Sequence, residues 1–481
     1  MKLKFLLFLF FLATGFFSFS QDFLDADFHR SRRQALRDLM PENSVSVFFS
    51  NPVRNRSNDV DFVYHQDPNF YYLTGYREPH AVLLIFKEPQ NINGEFTNEV
   101  LFVQERNEYA EMWTGKRLGV DGTKDQLGFK VVYKGKDFKN TAIDFSKFDK
   151  ILFTRFENDV RDTRDNADLY DLMKTFQEKI AVNLPVSNNV TSDKIYNKKE
   201  EKIDNKSLLT YMGTLREVKT KEELVLLKKA VEISAVGQIE IMKAMHPGMS
   251  EFEVQGVHEF IYKKYGAEFE GYPSIVGAGN NGCILHYIEN DKPFVGDKNL
   301  VLMDLGAEYH GYTADVTRTI PANGKFTKEQ KLIYNLVYKA QEAGIEEIKV
   351  GASLNKSHAV TRKIINEGLA QLGIIPSEDS KHNYYPHGSS HHIGLDVHDL
   401  SNYGSLKENM IVTVEPGIYI PEGSNCDVKW WGIGIRIEDD ILVTKEGPVN
   451  LSAKAPRKSD EIEELMKEKS VLNDFNLPEL D

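Results

Sequence analysis

Cysteine is nearly missing from this chain: Cys283 and Cys426 are the only two in 481 residues. Two thiols make one disulfide at most, which excludes a disulfide-built scaffold, and free thiols are the favoured state. Also missing is a basic stripe. Lysine and arginine number 59 against 72 aspartates and glutamates, a formal charge of −13, so nothing resembles a phosphate-binding surface and nucleic acid is excluded as a partner. Beyond residue 20 there is no apolar run of the roughly 20 residues a membrane-spanning helix needs. Short-period repeats and low-complexity tracts are absent too. With 41% apolar and 27% charged residues the bulk of the chain is expected to fold, and its length exceeds what one hydrophobic core usually serves, so two domains are expected.

What is present begins with Lys2 and Lys4, an apolar run from Phe5 to Phe17, and Ser18-Phe19-Ser20 before Gln21. That order predicts a signal peptide over residues 1–20, an extracytoplasmic (periplasmic or secreted) protein, and no membrane insertion after cleavage. From 22 to 205 a helical stretch around Arg30–Leu39 is mixed with strand-like runs at Val45–Phe49, Ala81–Phe86 and Val100–Gln104, the pattern of an α/β domain. The almost wholly polar segment Asn197–Lys206 marks the boundary. A second domain, 206–458, opens with the capping box Thr220-Lys-Glu-Glu223, followed by boxes at Ser250–Glu253 and Thr327–Gln330. Strands are expected at Val301–Leu305, Tyr312–Ile320, Ile411–Glu415 and Ile433–Val443. Helices alternating with hairpin-like strand pairs predict an α/β (α+β) class in which helices back a mostly antiparallel sheet. Residues 459–481 read as an acidic, helical tail.

The placement of four acids is the most informative feature. Asp304 lies in LVLMDLG, Asp315 in GYTADVTRT, Glu415 in IVTVEPG and Glu438 in GIGIRIEDDILV, runs that otherwise read as buried strand. Side chains alternate across a strand, so Ile433, Ile435 and Ile437 share one face while Gly434, Arg436 and Glu438 share the other. Likewise Thr313, Asp315, Thr317 and Thr319 form a polar face, and a turn at His310-Gly311 can bring the Asp304 strand alongside. Burying ionised carboxylates costs several kcal/mol each unless they are paired or bind a cation, and Arg436 and Arg318 cannot neutralise four. The loop HGSSHHIGLDVH, His387–His398, offers imidazoles. Oxygen-rich ligation with one imidazole suits two divalent ions such as manganese, cobalt or zinc.

Together the segments NGCILHY (281–287), MDLGAEYHGYTADVTRT (303–319), HGSSHHIGLDVH, VEPGIYI (414–420) and GIRIEDD (434–440) resemble the proline-specific peptidases of the pita-bread fold. RNRSNDVDFVYHQDPNFYYLTGYREP (54–79) and WTGKRLG (113–119) resemble the amino-terminal domain of those enzymes, so the likeness spans nearly the whole chain. It implies a pita-bread second domain with helices on a curved sheet, and Asp304, Asp315, His391, Glu415 and Glu438 as ligands of two divalent ions, with manganese as first choice. Asp315 and Glu438 are the implied bridges. The resemblance places His286, His387 and His398 on the substrate side, with Arg436 behind the ligands. The loop departs from the family at Ser389 and at His392, which makes His392 a rival to His391.

A water between two such ions loses its proton near neutral pH and attacks the scissile carbonyl. Glu415 is the expected proton carrier to the departing nitrogen, and His286 and His398 the expected donors to the developing oxyanion. Proline gives a reason for a dedicated enzyme, since its nitrogen offers no hydrogen for aligning a substrate backbone. The implied activity is an Xaa-Pro aminopeptidase acting on proline-containing peptides. The rivals are an Xaa-Pro dipeptidase and a non-catalytic pita-bread binding protein. A homo-oligomer, dimer or tetramer, is expected, with Asp59 and Trp113 of the first domain as walls limiting peptide length. Two other motifs are discounted. HEFIY at His258 lacks the second histidine of a zinc helix, and GAGNNG, Gly277–Gly282, opens no helix and reads as the loop presenting His286.

Overall fold

The computed structural model describes residues 23–180 and 202–474. The predicted signal peptide, the first half of the Asn197–Lys206 segment and the end of the acidic tail lie outside the described residues.

The first half is built on a six-stranded sheet in the order Val132–Lys134, Glu95–Val103, Val82–Ile92, Ser44–Phe49, Lys150–Phe153 and Ile203–Asp204. It is mixed: Ser44–Phe49 runs antiparallel to Val82–Ile92 and parallel to Lys150–Phe153. Ser44–Phe49 matches the expected run at Val45–Phe49, Val82–Ile92 and Glu95–Val103 extend past the runs expected at Ala81–Phe86 and Val100–Gln104, and the other three strands were not anticipated. The amphipathic helix Ala26–Leu39, capped by Asp25 on Phe28 N–H, covers one face. Ile203–Asp204 falls inside the polar segment expected to be linker, yet it pairs with Ile151 and Leu152 as an edge strand.

All three capping boxes form. Thr220 opens Lys221–Ala244, Ser250 opens Glu251–Lys264 and Thr327 opens Lys328–Glu346, each with hydroxyl and third-position side chain bonded reciprocally to the backbone. Such caps are local, so a few residues suffice to specify them. These helices, with Leu354–Gln371, back strands whose described pairings are all antiparallel. The strands form short hydrogen-bonded pieces rather than one ladder: Ile275–Ala278, Leu300–Asp304 and Thr317–Pro321; Phe269–Glu270, Ala307–Tyr309 and Tyr312–Thr313; Ile411–Val414, Asp439–Thr444 and Gly447–Asn450; and Gly417–Ile420 with Ile433–Arg436.

Among the apolar clusters of the described residues, the two largest organise the site and the seam. One joins Ile433, Ile435 and Ile437 to Val301, Met303, Ile333, Val337 and Ile365, seating helices on the strands of the second half. At roughly 1.5–3 kcal/mol for each large apolar side chain buried, this face dominates the local energetics. The other runs without interruption from Phe28, Phe70 and Leu101 of the first half to Leu208, Leu227, Tyr312 and Leu442 of the second. Across the same seam Arg216 donates to Asn69 Oδ1 at 2.8 Å, and Tyr72 donates to the Leu215 carbonyl at 3.0 Å.

Candidate metal centre

The carboxylates converge where the strands break. Asp304 is the last residue of Leu300–Asp304, paired with Ile275 on one side and Thr317 on the other. Asp315 sits between Tyr312–Thr313 and Thr317–Pro321, Glu415 between Ile411–Val414 and Gly417–Ile420, and Glu438 between Ile433–Arg436 and Asp439–Thr444. The expectation that all four lie inside strands is therefore corrected for three of them. Irregular backbone at a strand end re-aims a side chain that strict alternation would hold on one face. The turn bringing Asp304 and Asp315 together is the one expected: His310 and Gly311 both have positive φ, 52° and 88°, where glycine is at ease.

Asp315, His391 and Glu438 each present one ligand-type atom within 4.8 Å of the others. His391 Nε2 lies 3.4 Å from Asp315 Oδ2 and 3.6 Å from Glu415 Oε1. Tyr272 links Asp315 to Asp304, its hydroxyl 2.7 Å and 2.6 Å from their Oδ1 atoms. Arg436 completes the ring, with Nη2 donating to Asp304 Oδ2 at 2.6 Å and Nε 4.0 Å from Glu438 Oε2. Five side chains spread over the sequence from 304 to 438 thus share one small volume.

The electrostatics of that volume call for a cation. Burial, then Asp304 and Asp440, pushes the Asp315 carboxyl well above its usual range. Burial, then Asp315, Glu415 and Asp304, does the same to Glu438. Glu415 is raised by burial against the pull of His391 and Arg436. Asp304 also meets burial, but Arg436 and Tyr272 outweigh it and hold it below the usual range. One guanidinium against four buried acids leaves negative charge that a divalent ion would neutralise. The donor set fits two hard or borderline ions.

The histidines divide by what their rings touch. His391 Nδ1 is 3.1 Å from the His392 carbonyl; a carbonyl only accepts, so Nδ1 carries the hydrogen and Nε2 turns a lone pair toward the acids. His392, the rival, is buried edge-on to Tyr403 with ring centroids 5.5 Å apart, and burial lowers its pKa to about 4. Its backbone bridges Val412, and neighbours along an extended chain point to opposite sides. His398 stands exposed with its ring 4.3 Å from that of His391, and His286 is exposed on the 279–287 loop. His387 has a pKa lowered to about 4 by burial and Arg436. Its Nδ1 donates to the Gly388 carbonyl at 2.7 Å, so its Nε2 accepts from Tyr419 Oη at 2.8 Å. Tyr419 in turn accepts from Arg436 Nη1 at 2.9 Å.

Arg436 is buried, with Nε, Nη1 and Nη2 bonded to Thr317, Tyr419 and Asp304. Any role of Arg436 toward substrate is thus indirect. Asp59 and Trp113 are both exposed on the first domain, Trp113 to 75%. Gly434 stands where the loop ahead of His286 presses on the site strands: a Cβ there would lie 2.1 Å from the Gly282 carbonyl oxygen. GAGNNG therefore serves as a close-packed loop, partly 3-10 helix at Gly279–Cys283. His258 is a wholly buried helix residue and no ligand. Cys283 and Cys426 are free thiols. Sequence reasoning missed Tyr272, Tyr419, Thr317 and Asp440. Thr317 Oγ1 donates to Glu438 Oε2 at 2.6 Å, and Asp440 Oδ2 accepts the Asp315 N–H at 3.0 Å. Tyr419, Thr317 and Asp440 lay in segments already singled out, Thr317 on the polar face beside Asp315 but without a role; only Tyr272 lay outside them.

A fold of helices over antiparallel strands around an acid-rich centre defines a metallopeptidase. The model described as "Metallopeptidase family M24" matches residues 225–445, and that described as "Aminopeptidase P, N-terminal domain" matches residues 29–151. Xaa-Pro aminopeptidase of Escherichia coli (strain K12) is 34% identical over 90% of this chain and 96% of its own length, and that of Haemophilus influenzae 35% over 92% and 97%. The solved structure of E. coli aminopeptidase P with the inhibitor Pro-Leu superposes with a TM-score of 0.79 at 32% identity, covering 92% of this chain and 98% of that one. The chain belongs to the aminopeptidase P family of M24 metallopeptidases.

Proposed function

We propose that this protein releases the first residue from peptides whose second residue is proline, using two divalent ions, manganese first among them, held by Asp304, Asp315, His391, Glu415 and Glu438. The observation that carries the reading is the meeting of those five side chains in one buried, acid-rich volume. When bound, the ions supply Lewis acidity toward the scissile carbonyl and let water ionise near neutral pH.

The chain's own groups do the rest. Glu415, raised above the usual carboxylate range by burial, is suited to take a proton and release it to the proline nitrogen, which must be protonated to leave. His398, exposed and with its ring 4.3 Å from that of His391, is placed to donate an N–H to the carbonyl oxygen as charge develops, and the exposed His286 is suited to the same task. His387, locked by the Arg436–Tyr419 chain, presents a fixed ring at the mouth of Glu415, 3.5 Å from its Oε2.

The test is digestion of Xaa-Pro, Xaa-Pro-Xaa and longer peptides by manganese-loaded protein, with free amino acids quantified. The expected result is release of the first residue from tripeptides and longer chains, with Glu415→Gln lowering kcat by about 10²–10⁴-fold. Cleavage of dipeptides alone would replace this reading with a dipeptidase, and no cleavage of any proline peptide would end it. We infer further that residues 1–20 are removed on export and that the enzyme acts extracytoplasmically as a homo-oligomer, with Trp113 and Asp59 available to a neighbouring copy. The support is the order of Lys2, Lys4 and the apolar run, together with the exposure of Trp113.

A further inference from the structure

Two glutamines are buried behind the acids, one on each of two long helices, and both are wholly inaccessible to solvent. Gln238, on Lys221–Ala244, donates its amide hydrogens to the Met303 carbonyl at 3.1 Å and the Val316 carbonyl at 2.8 Å. Met303 precedes Asp304, and Val316 follows Asp315. Gln341, on Lys328–Glu346, donates to the Val414 carbonyl at 3.0 Å and to Asp439 Oδ2 at 2.8 Å. Val414 precedes Glu415, and Asp439 follows Glu438. Each glutamine therefore grips the residue before one acid and the residue after another, and the two together bracket all four.

In each case the grip falls where the ladder gives out. Met303 and Val316 stand at the edge of the pairing that ends with Asp304 and Thr317, and Val414 and Asp439 are the terminal partners of theirs. Beyond those points the backbone is irregular, and the separation of the two carboxylates depends on whatever ties the segments together. A primary amide is suited to this: its two N–H groups diverge at a fixed angle from one planar nitrogen, so their acceptors are held at a set spacing. The helices beneath are rigid, and a site on rigid elements keeps its geometry better than one on loops.

We propose that Gln238 and Gln341 are positioning residues that set the spacing within the Asp304–Asp315 and Glu415–Glu438 pairs, and so the affinity for the two ions. The inference rests on the two-ion reading above. The clamps are not identical. Gln341 Oε1 accepts from Arg457 Nη1 at 3.0 Å, whereas Gln238 Oε1 is buried without a partner, so the Gln238 clamp is the less anchored.

The test is manganese titration of the full-length wild type, Gln238→Met and Gln341→Met, followed by electron paramagnetic resonance for free ion and for the spin-coupled pair, alongside thermal unfolding and the split between kcat and KM. Methionine keeps the volume and removes both donors. The wild type is expected to bind two ions; failure there refutes the two-ion reading, not the clamps. Given two ions, each variant is expected to lose about 10–100-fold in affinity for at least one ion, with a weakened coupled signal, lower kcat and little change in KM. Gln238→Glu and Gln341→Glu keep the length and, when protonated, one donor; their losses are expected to lie between wild type and methionine, and they carry the test if a methionine variant does not fold. Unchanged affinity and coupled signal in folded variants, with only a lower melting temperature, would overturn the proposal and leave the glutamines as ordinary buried polar partners.

Discussion

Replacing Arg436 with methionine removes a buried charge while keeping much of the side-chain volume, and its effect depends on whether the cations are present. In chelated protein Arg436 is the cation that meets Asp304, at 2.6 Å, and it also serves Thr317 and Tyr419. Deleting one partner of a buried pair costs about 3–5 kcal/mol, because the other charge remains buried. Two bound divalent ions satisfy the acids independently of Arg436, and what remains is the loss of charge-assisted hydrogen bonds, about 1.5–3 kcal/mol. The assay is urea unfolding of wild type and Arg436→Met, each with chelator and with saturating manganese. The variant should lose more stability in chelator than in manganese, by roughly 1.5 kcal/mol, which linkage turns into about tenfold tighter ion binding by the variant. Equal losses in the two conditions would show that Arg436 does not share the acids with the cations, and the charge argument for the centre would fail.

His391→Ala is expected to abolish retention of one ion after gel filtration while His392→Ala retains both, as measured by elemental analysis; the reverse result would transfer the ligand role to the neighbour. His29 is 1% exposed, donates from Nδ1 to the Tyr72 carbonyl 3.0 Å away, and has its pKa lowered by burial to about 4. The unfolded chain therefore binds a proton that the folded chain refuses between pH 6.5 and 4, and stability falls as pH falls through that window, by about 3 kcal/mol in total. His29→Gln should flatten this slope in urea titrations of stability against pH, and an unchanged slope would contradict the burial argument.

How much of this was legible in the chain depends on how local each signal is. Thr220, Ser250 and Thr327 announced their helices because a capping box needs only four residues. The acids were legible as misfits, charges set in runs of valine, isoleucine and leucine. The breaks that free Asp315, Glu415 and Glu438 were not, since alternation alone cannot show where a ladder stops. Neither could the chain show which of His391 and His392 faces the acids; that is decided by the Val412 bridge, which fixes the pleat. Gln238 and Gln341 carried no signal at all, because in sequence they are unremarked polar positions on long helices and their partners lie 65 to 98 residues away. Tyr272 was silent too, because it sits in a bend outside any periodic run and meets Asp304 and Asp315 only through the fold.

The apolar cluster running from Phe28 to Leu442 has a consequence for anyone exchanging parts between relatives. Leu227, Tyr312 and Leu442 fill space against side chains contributed by the other half, so a chimera joined near residue 205 would bring together two surfaces shaped for different counterparts. Grafting is better done by moving the matching positions on both sides of that seam in one step, treating the junction as a single interior rather than as a hinge.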